Sequence, residues 1–212
     1  MNLEHQHNNL SPEASEKKHH DTLEDYIEQL DLTEADLQKN ILDVGSGRGA
    51  SFSRKAKERG LGDKIYSIDP NSGNERSINF VRGQGEYLPF KDRAFELVVS
   101  NAAFPFFVII DDEIKQQLMA GNMEPAENRI KQVLNDMLRV LGDNGEIRLG
   151  RVTKNIDVPS QRVLERCFEK VLAEFVEHKI ISVEWKQKAP LIDYKDSAKK
   201  VADLYLVKIH KL

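Results

Sequence analysis

The feature that most constrains this chain is a glycine-rich turn directly after an apolar segment. Residues 41–44 are apolar apart from Asp43 and predict a short buried strand. Three glycines follow it at alternate positions: Gly45, Gly47 and Gly49. Glycine lets the backbone turn tightly and lets a ligand approach the main chain closely. A helical pattern covers residues 48–59, so the free amides at its start would favour an electronegative ligand group.

Two classes of ligand use such a turn, and Asp43 helps to choose between them. A dinucleotide brings a pyrophosphate, which the Asp43 carboxylate would repel, whereas S-adenosylmethionine brings a cationic end that suits it. The stretch also satisfies the dinucleotide pattern G-x-G-x-x-[GA], with Ala50 as its last member. Asp69 stands about twenty positions on and would hold ribose hydroxyls in either case. The turn alone therefore leaves both ligand classes open.

Five segments, in order, resemble the class I S-adenosylmethionine-dependent methyltransferases of the small-molecule branch. They are residues 43–49, 68–70, 83–90, 95–102 and 137–146. The first resembles that family's glycine motif, the second its acidic strand end and the third its adenine loop. The last two resemble its fourth strand and the helix and turn before its fifth. The resemblance implies a methyltransferase that uses S-adenosyl-L-methionine and acts on an unidentified small molecule.

The resemblance also implies which residues contact the cofactor. They are Asp43, Gly45, Ser46, Gly47, Gly49, Asp69, Pro70, Gln84, Gly85, Glu86 and Asn101. Gln84 stands where the family usually has an acidic residue, but its side-chain carbonyl can still accept a hydrogen bond from adenine. The Asn-Pro-Pro-aromatic signature is absent after the fourth strand, which argues against nucleic-acid bases and glutamine side chains as acceptors. Asn101 either contacts the ligand or only ends its strand.

An insertion over residues 104–121 follows the fourth strand, where the ligand crevice of such a sheet lies, and it begins with an apolar run at residues 104–110. We expect Phe104, Phe106 and Phe107 to wall an acceptor pocket, the alternative being that they pack on the core or on a second subunit. Arg151 near the end of the fifth strand would bind an anionic group of the acceptor, or pair with a protein carboxylate. The sequence identifies no catalytic base.

The remaining pattern predicts one fold class. Strands alternate with helical segments, which favours an α/β, Rossmann-like, mostly parallel sheet of seven strands with helices on both faces. The resemblance implies that the last strand is antiparallel. We predict strands near 41–44, 64–69, 78–82, 95–100, 145–152, 179–187 and 203–210, and helices near 48–59, 125–140 and 160–178. Shorter helical patterns cover residues 22–30 and 33–39.

We predict one methyltransferase-like domain over residues 21–212, after a disordered polar tail at residues 1–20. Its parts are N-terminal helices at 21–40, a cofactor-binding core at 41–152 and the C-terminal part of the sheet at 153–212. The tail contains several histidines, and such tracts can bind metal. We expect a disordered tail and no metal site.

Composition limits the partners and the compartment. The chain has a net charge of -4 and one cysteine, Cys167, so it forms no internal disulfide, which suits the cytoplasm. No apolar run approaches the roughly 18–20 residues that span a bilayer. The C-terminal lysines are scattered without interleaved aromatic residues, so we expect a solvated face and no nucleic-acid partner. The oligomeric state is undetermined.

Two other functions stay open at the level of sequence. A non-catalytic protein that binds S-adenosylmethionine would keep the same fold, since fold alone does not establish catalysis. A nicotinamide-dependent oxidoreductase is supported by the glycine pattern and Asp69, but Asp43 and the adenine-loop segment speak against it.

Overall fold

The computed structural model describes residues 23–47, 49–71, 79–188, 190–192 and 200–212. The helices in these residues are α1 (Leu23–Gln29), α2 (Ser51–Glu58), α3 (Asp112–Met119), α4 (Glu124–Val140) and α5 (Pro159–Glu177). The strands are β1 (Ile41–Val44), β2 (Ile65–Asp69), β3 (Asn79–Arg82), β4 (Phe95–Asn101), β5 (Leu141–Lys154), β6 (Ile181–Gln187), β7 (Leu191–Ile192) and β8 (Lys200–Lys211). Short 3-10 turns cover Asp36–Gln38 and Phe106–Ile110.

The strands form a mixed sheet in the order β3-β2-β1-β4-β5-β8-β6. Strands β1 to β5 pair in parallel, and β8 lies antiparallel between β5 and β6. The two-residue β7 pairs with β8 outside this path. The predicted Rossmann-like sheet with an antiparallel last strand is therefore confirmed. Because β1 to β5 are parallel, their carboxyl ends meet at one edge of the sheet.

Helices cover both faces of the sheet because successive side chains of a strand point to opposite faces. Leu42 and Val44 of β1 belong to a core shared with α4 and α5, whereas Ile41 belongs to a second core shared with α1 and α2. Strand β4 alternates in the same way, with Val98 in the first core and Leu97 in the second.

The structure shortens two of the predicted helical segments. In the segment 33–39, Thr33 and Asp36 exchange hydrogen bonds between side chain and backbone, as a capping box does, but only a 3-10 turn follows. Helix α2 starts at Ser51 rather than at residue 48, because Ala50 before it has a left-handed backbone, with φ 36°.

The segment that follows β4 packs onto the first core before α4 begins. It contains the second 3-10 turn and α3, whose N-terminus is capped by the Asp111 side chain through the amides of Glu113 and Ile114. Among the described residues, every helix is too short or too polar to cross a membrane. The predicted tail at residues 1–20 lies outside the described residues.

Candidate active site at the carboxyl ends of the parallel strands

The glycine turn after β1 is tied to the end of β2. Its first two amides, from Gly45 and Ser46, donate to the carbonyl of Ile68 at 2.9 and 3.2 Å. The amide of Gly47 donates to the Asp69 carboxylate at 2.9 Å. The other oxygen of that carboxylate accepts from the amide of Asn71 at 2.8 Å. Two residues that the sequence predicts as cofactor contacts, Gly47 and Asp69, are thus in direct contact.

Ser46 and Asn101 present buried polar groups without a partner at this edge. Both side chains are 6% exposed. The Ser46 hydroxyl and both amide atoms of Asn101 lack a hydrogen-bond partner within the described residues. They follow or end β1 and β4, which are neighbours in the sheet. An unpaired buried polar group costs free energy, so a polar ligand that reaches these groups would be stabilised there.

Two glycines of the turn, Gly45 and Gly47, have different surroundings. A methyl group built on Gly45 would lie 2.4 Å from the Cβ atom of Ala103, so the chain after β4 packs directly against the first glycine. Gly47 has φ +72° and open space where a side chain would stand. The turn is therefore accessible at Gly47 and closed at Gly45 in this conformation. Asp43 is fully buried on β1.

The predicted adenine loop lies against the apolar insertion. A methyl group on Gly85 would lie 3.0 Å from the ring of Phe107. Glu86 is buried and pairs with Arg129 of α4, which also donates to the carbonyl of Val108 at 3.4 Å. Arg129 thus connects the loop to the insertion. Gln84 and Pro70 are exposed near the same edge. Cofactor contacts by these residues stay a prediction.

Arg151 lies at an irregularity of β5. The register between β5 and β8 shifts between Leu149 and Val152, and Arg151 has φ 57°. Such a bulge bends a strand and redirects its side chains. Next to it, Gly150 pairs with Asn101 of β4 in the sheet. A methyl group built on Gly150 would lie 2.5 Å from the Asn101 Oδ1 atom. The bulge therefore adjoins Asn101, and binding of an acceptor by Arg151 stays a prediction.

Arg148, the other arginine of β5, has a structural role. It is buried and pairs with Asp36 at 3.1 Å and with Glu146 at 2.5 Å. Burial would lower the pKa of Arg148, but these carboxylates outweigh burial and raise it. Burial would likewise raise the pKa of Asp36, but hydrogen bonds from Lys39 and Thr33 and the charge of Arg148 lower it. The trio anchors the segment before β1 to the sheet.

The phenylalanines of the insertion occupy different depths. Phe104 is fully buried and packs edge-on against Phe168 of α5 with ring centroids 5.6 Å apart. Phe106 and Phe107 are half-buried on the core surface. In this conformation Phe104 is a packing residue because it lies inside the core, and its predicted contact with an acceptor stays a prediction.

Phe106 lines a small cavity between the insertion, β5 and α5. The cavity has a volume of about 10 Å³, which is room for one water molecule. Its apolar lining consists of Pro105, Phe106, Val152, Leu164, Phe168 and Trp185. Its polar lining consists of Thr153, Gln161 and Glu165. Burial raises the pKa of the Glu165 carboxyl, while the backbone amide of Asn155 donates to it and opposes the shift.

Sequence reasoning missed Arg129, Glu165 and the position of Trp185 beside this cavity. Glu165 and Arg129 are single charged residues on helical patterns, and the sequence contains no signal that distinguishes them from solvated ones. Trp185 packs partly against the core. Glu165 and Trp185 become recognisable as lining of one cavity only because α5, β6 and the insertion lie side by side, whereas Arg129 contacts the adenine loop.

Comparison with known proteins agrees with the geometry of this edge. Residues 42–149 match the family described as methyltransferase domain. The match covers the glycine turn, the Asp69 strand end, the adenine loop and the fourth strand. The chain therefore belongs to the methyltransferase domain family. This membership confirms the predicted class, the S-adenosylmethionine-dependent methyltransferases, and S-adenosylmethionine as the cofactor.

A probable phthiotriol/phenolphthiotriol dimycocerosates methyltransferase of Mycobacterium ulcerans is 32% identical over 103 residues. The matched part is 42% of this chain and 39% of that relative, so this chain spans well under half of the relative's length.

Solved structures share the fold over most of their length. A possible histamine N-methyltransferase from Thermotoga maritima has a TM-score of 0.52 at 15% identity, and the match covers 90% of each chain. A methyltransferase from Methanosarcina mazei has a TM-score of 0.55 at 15% identity, and the match covers 88% of this chain and 97% of that one. At such identities the likeness establishes the fold alone.

Proposed function

We propose that this protein transfers a methyl group from S-adenosylmethionine to a small-molecule acceptor. The observation that carries the proposal is the pair of buried, unpartnered side chains of Ser46 and Asn101 beside an open glycine turn. Polar groups of this kind are normally paired. A polar ligand between the ends of β1 and β4 would supply the missing partners.

The residues at this edge fit that cofactor. Asp69 uses one oxygen for Gly47 and the other for Asn71, and each oxygen can accept a second hydrogen bond from a ribose hydroxyl. Ser46 and Asn101 would hold the polar end of the methionine portion, with the buried Asp43 carboxylate beneath the turn favouring its positive charge. Gln84 and the Gly85 amide would hold the adenine, and Glu86 would keep their loop in place through Arg129.

The remaining task of the protein is to align donor and acceptor. S-adenosylmethionine, when bound, supplies a methyl group that its sulfonium already makes electrophilic. Proximity and orientation alone contribute about 7–11 kcal/mol to such reactions. The insertion over residues 104–121 would wall the acceptor pocket and exclude water from it. Pro105 and Phe106 are the residues of this wall that line the cavity.

The acceptor is proposed to be a small molecule rather than a polymer. The relative from Mycobacterium ulcerans is named for a small-molecule lipid acceptor, which supports this class but not that substrate. The apolar lining of the cavity supports an acceptor with an apolar part. We place the activity in the cytoplasm because the chain has one cysteine, Cys167, and therefore no internal disulfide, which suits a reducing compartment.

The experiment that tests the proposal supplies the methyl donor together with a mixture of possible acceptors. The full chain is incubated with a small-molecule extract and S-adenosylmethionine that carries a deuterated methyl group, and labelled products are sought by mass spectrometry. A labelled small molecule that is absent with Asp69→Ala supports the proposal. Tight binding of S-adenosylmethionine with no labelled product from extracts of several sources would instead support a non-catalytic binding protein.

A further inference from the structure

The cavity between the insertion and α5 contains one carboxylate, that of Glu165, and its lining is mostly apolar. Glu165 accepts a hydrogen bond from the backbone amide of Asn155 at 3.2 Å, with a longer contact of 3.4 Å to its other oxygen. Among the residues that the structure describes, no lysine or arginine forms a salt bridge with Glu165. The nearest cations are engaged elsewhere, since Lys154 pairs with Glu169 and Arg162 pairs with Asp157.

This arrangement resembles that of Asp69, which is likewise held by backbone amides, and it differs from that of three buried carboxylates that pair with a cation. Asp36, Glu86 and Glu127 each pair with a lysine or arginine. A carboxylate that is partly desolvated and lacks a cation gains free energy from any hydrogen-bond donor that reaches it. Glu165 is therefore suited to accept a hydrogen bond from a ligand that enters the cavity.

The aromatic wall of the cavity restricts what that ligand can be. Trp185 packs edge-on against Phe168, with ring centroids 6.2 Å apart. Lys154 covers a face of Trp185 at 3.8 Å from the ring centre. An anionic ligand would be repelled by the charge of Glu165, and a cationic ligand would lose its hydration on entering a mostly apolar cavity. A neutral ring meets neither obstacle and gains apolar contact with Phe106, Leu164 and Phe168.

We propose that this cavity is the closed form of the acceptor subsite, that it takes a neutral, flat, apolar ring bearing a hydroxyl or ring N–H, and that Glu165 accepts the hydrogen of that group. This inference rests on the proposed methyl transfer. On methylation the electron pair of the O–H or N–H bond stays on the acceptor and forms its bond to the methyl carbon. The electrons of the broken carbon–sulfur bond stay on sulfur, and the proton goes to a carboxylate oxygen of Glu165.

The closed cavity must widen to admit a ring. At about 10 Å³ it holds one water, and the insertion is the part of its wall that belongs to no sheet or long helix. Gly121, with φ +90° and free space around it, ends the insertion at a position suited to a hinge. Outward movement of Phe106 would join the cavity to the edge of the sheet at Asn101.

Trp185 makes the subsite directly observable because it is the one tryptophan of the chain. Its fluorescence is titrated in the full protein saturated with S-adenosylhomocysteine, with 4-nitrophenol at a pH at which the probe is neutral. The matched probes are 4-nitroanisole, which lacks the hydroxyl, the anion 4-nitrobenzoate and the cation 4-nitrobenzylamine. Free N-acetyltryptophanamide corrects for absorption of light by the probes.

We expect saturable quenching that is at least tenfold tighter for 4-nitrophenol than for the other three probes. Glu165→Gln should reduce that tenfold preference, because a neutral amide oxygen accepts a weaker hydrogen bond than a carboxylate, and it should leave the affinity for 4-nitroanisole unchanged. The control is Glu177→Gln, an exposed glutamate on the same helix, which should behave as the wild type. Melting temperatures verify that each variant is folded.

Equal affinity for 4-nitrophenol and 4-nitroanisole, an unchanged preference in folded Glu165→Gln, or no saturable response to any probe would overturn the assignment. The outcome is distinct from that of the proposed function. If the protein fails to bind S-adenosylmethionine or S-adenosylhomocysteine but still prefers 4-nitrophenol through Glu165, that result supports the ring-binding site and contradicts the proposed methyl transfer.

Discussion

The carboxylate of Asp69 accepts a hydrogen bond from the backbone amide of Gly47 at 2.9 Å. This bond joins the end of β2 to the glycine turn after β1, and both residues face the region proposed for the ribose. Asp69 therefore has two tasks, since it holds the turn and remains able to accept ribose hydroxyls. We therefore expect that loss of the Asp69 carboxylate weakens cofactor binding.

Asp69→Ala should weaken binding of S-adenosylmethionine by about 1.5–3 kcal/mol, the range for a hydrogen bond to a charged group. Calorimetric titration measures the change, and thermal melts establish that the variant is folded. Asp63→Ala, which removes an exposed carboxylate from the loop before β2, is the control and should bind normally. Unchanged affinity in folded Asp69→Ala would remove Asp69 from the site.

Gly47→Val should abolish cofactor binding because the new side chain would fill the open space beside the turn. The left-handed backbone at Gly47 also makes any side chain there unfavourable by about 1–2 kcal/mol. Gly60 offers a matched control, since it has the same φ of +72° and the same free surroundings. Gly60→Val should lose similar stability and keep its affinity. Normal binding by Gly47→Val would contradict the glycine-turn assignment.

Phe106→Ala and Phe104→Ala should differ in what they change. Phe104 is fully buried, so its truncation should cost about 3–5 kcal/mol of unfolding free energy, measured by denaturant titration. Phe106 is half-buried on the cavity, so its truncation should alter binding of the 4-nitrophenol probe more than cofactor affinity. A large loss of stability in Phe106→Ala without a change in probe binding would make Phe106 a core residue instead.

Phe107 contacts Gly85, so its truncation should also disturb the cofactor loop.

Asp36→Ala should destabilise the protein because it removes one of the two carboxylates that pair with the buried Arg148 among the described residues, and it leaves Arg148 with Glu146 and the backbone carbonyls of Leu30 and Asp31. Removal of one partner from a buried pair typically costs about 3–5 kcal/mol. The pKa of Asp36 is lowered from 3.8 in the folded protein, so its stabilisation is present above pH 3.8 and is lost as pH falls through the lower folded value. Urea titrations at neutral and acidic pH should therefore show a difference from the wild type that shrinks in acid. A constant difference would contradict this account.

Much of the fold could be predicted from the sequence because its strongest signals are local. The strand at residues 41–44 ends directly before Gly45. The predicted helices at 125–140 and 160–178 match α4 and α5 within about one residue, in agreement with clear apolar periodicity. Strand β5 starts at Leu141 rather than near residue 145, because Leu141 pairs with Phe95 before an irregularity in the register. That pairing depends on β4, which no local pattern near residue 141 reveals.

The candidate site could be predicted only where a motif describes it. The glycine turn and Asp69 are recognisable by spacing, and they lie in contact. Arg129 and Glu165 lie on α4 and α5, and their importance comes from long-range packing against the adenine loop and the insertion. Likewise, the close approach of Ala103 to Gly45 is a tertiary contact, so the sequence alone attributes that glycine only to the ligand.

The central claim is that the turn after β1 binds S-adenosylmethionine, and calorimetric titration of the full chain tests it most directly. S-adenosylmethionine, S-adenosylhomocysteine and NAD are titrated in parallel into the wild type and into Gly47→Val. The account predicts saturable binding of the first two ligands to the wild type, no binding of NAD, and no binding of any ligand to Gly47→Val. Binding of NAD in preference to S-adenosylmethionine, or equal binding of S-adenosylmethionine by both proteins, would contradict it.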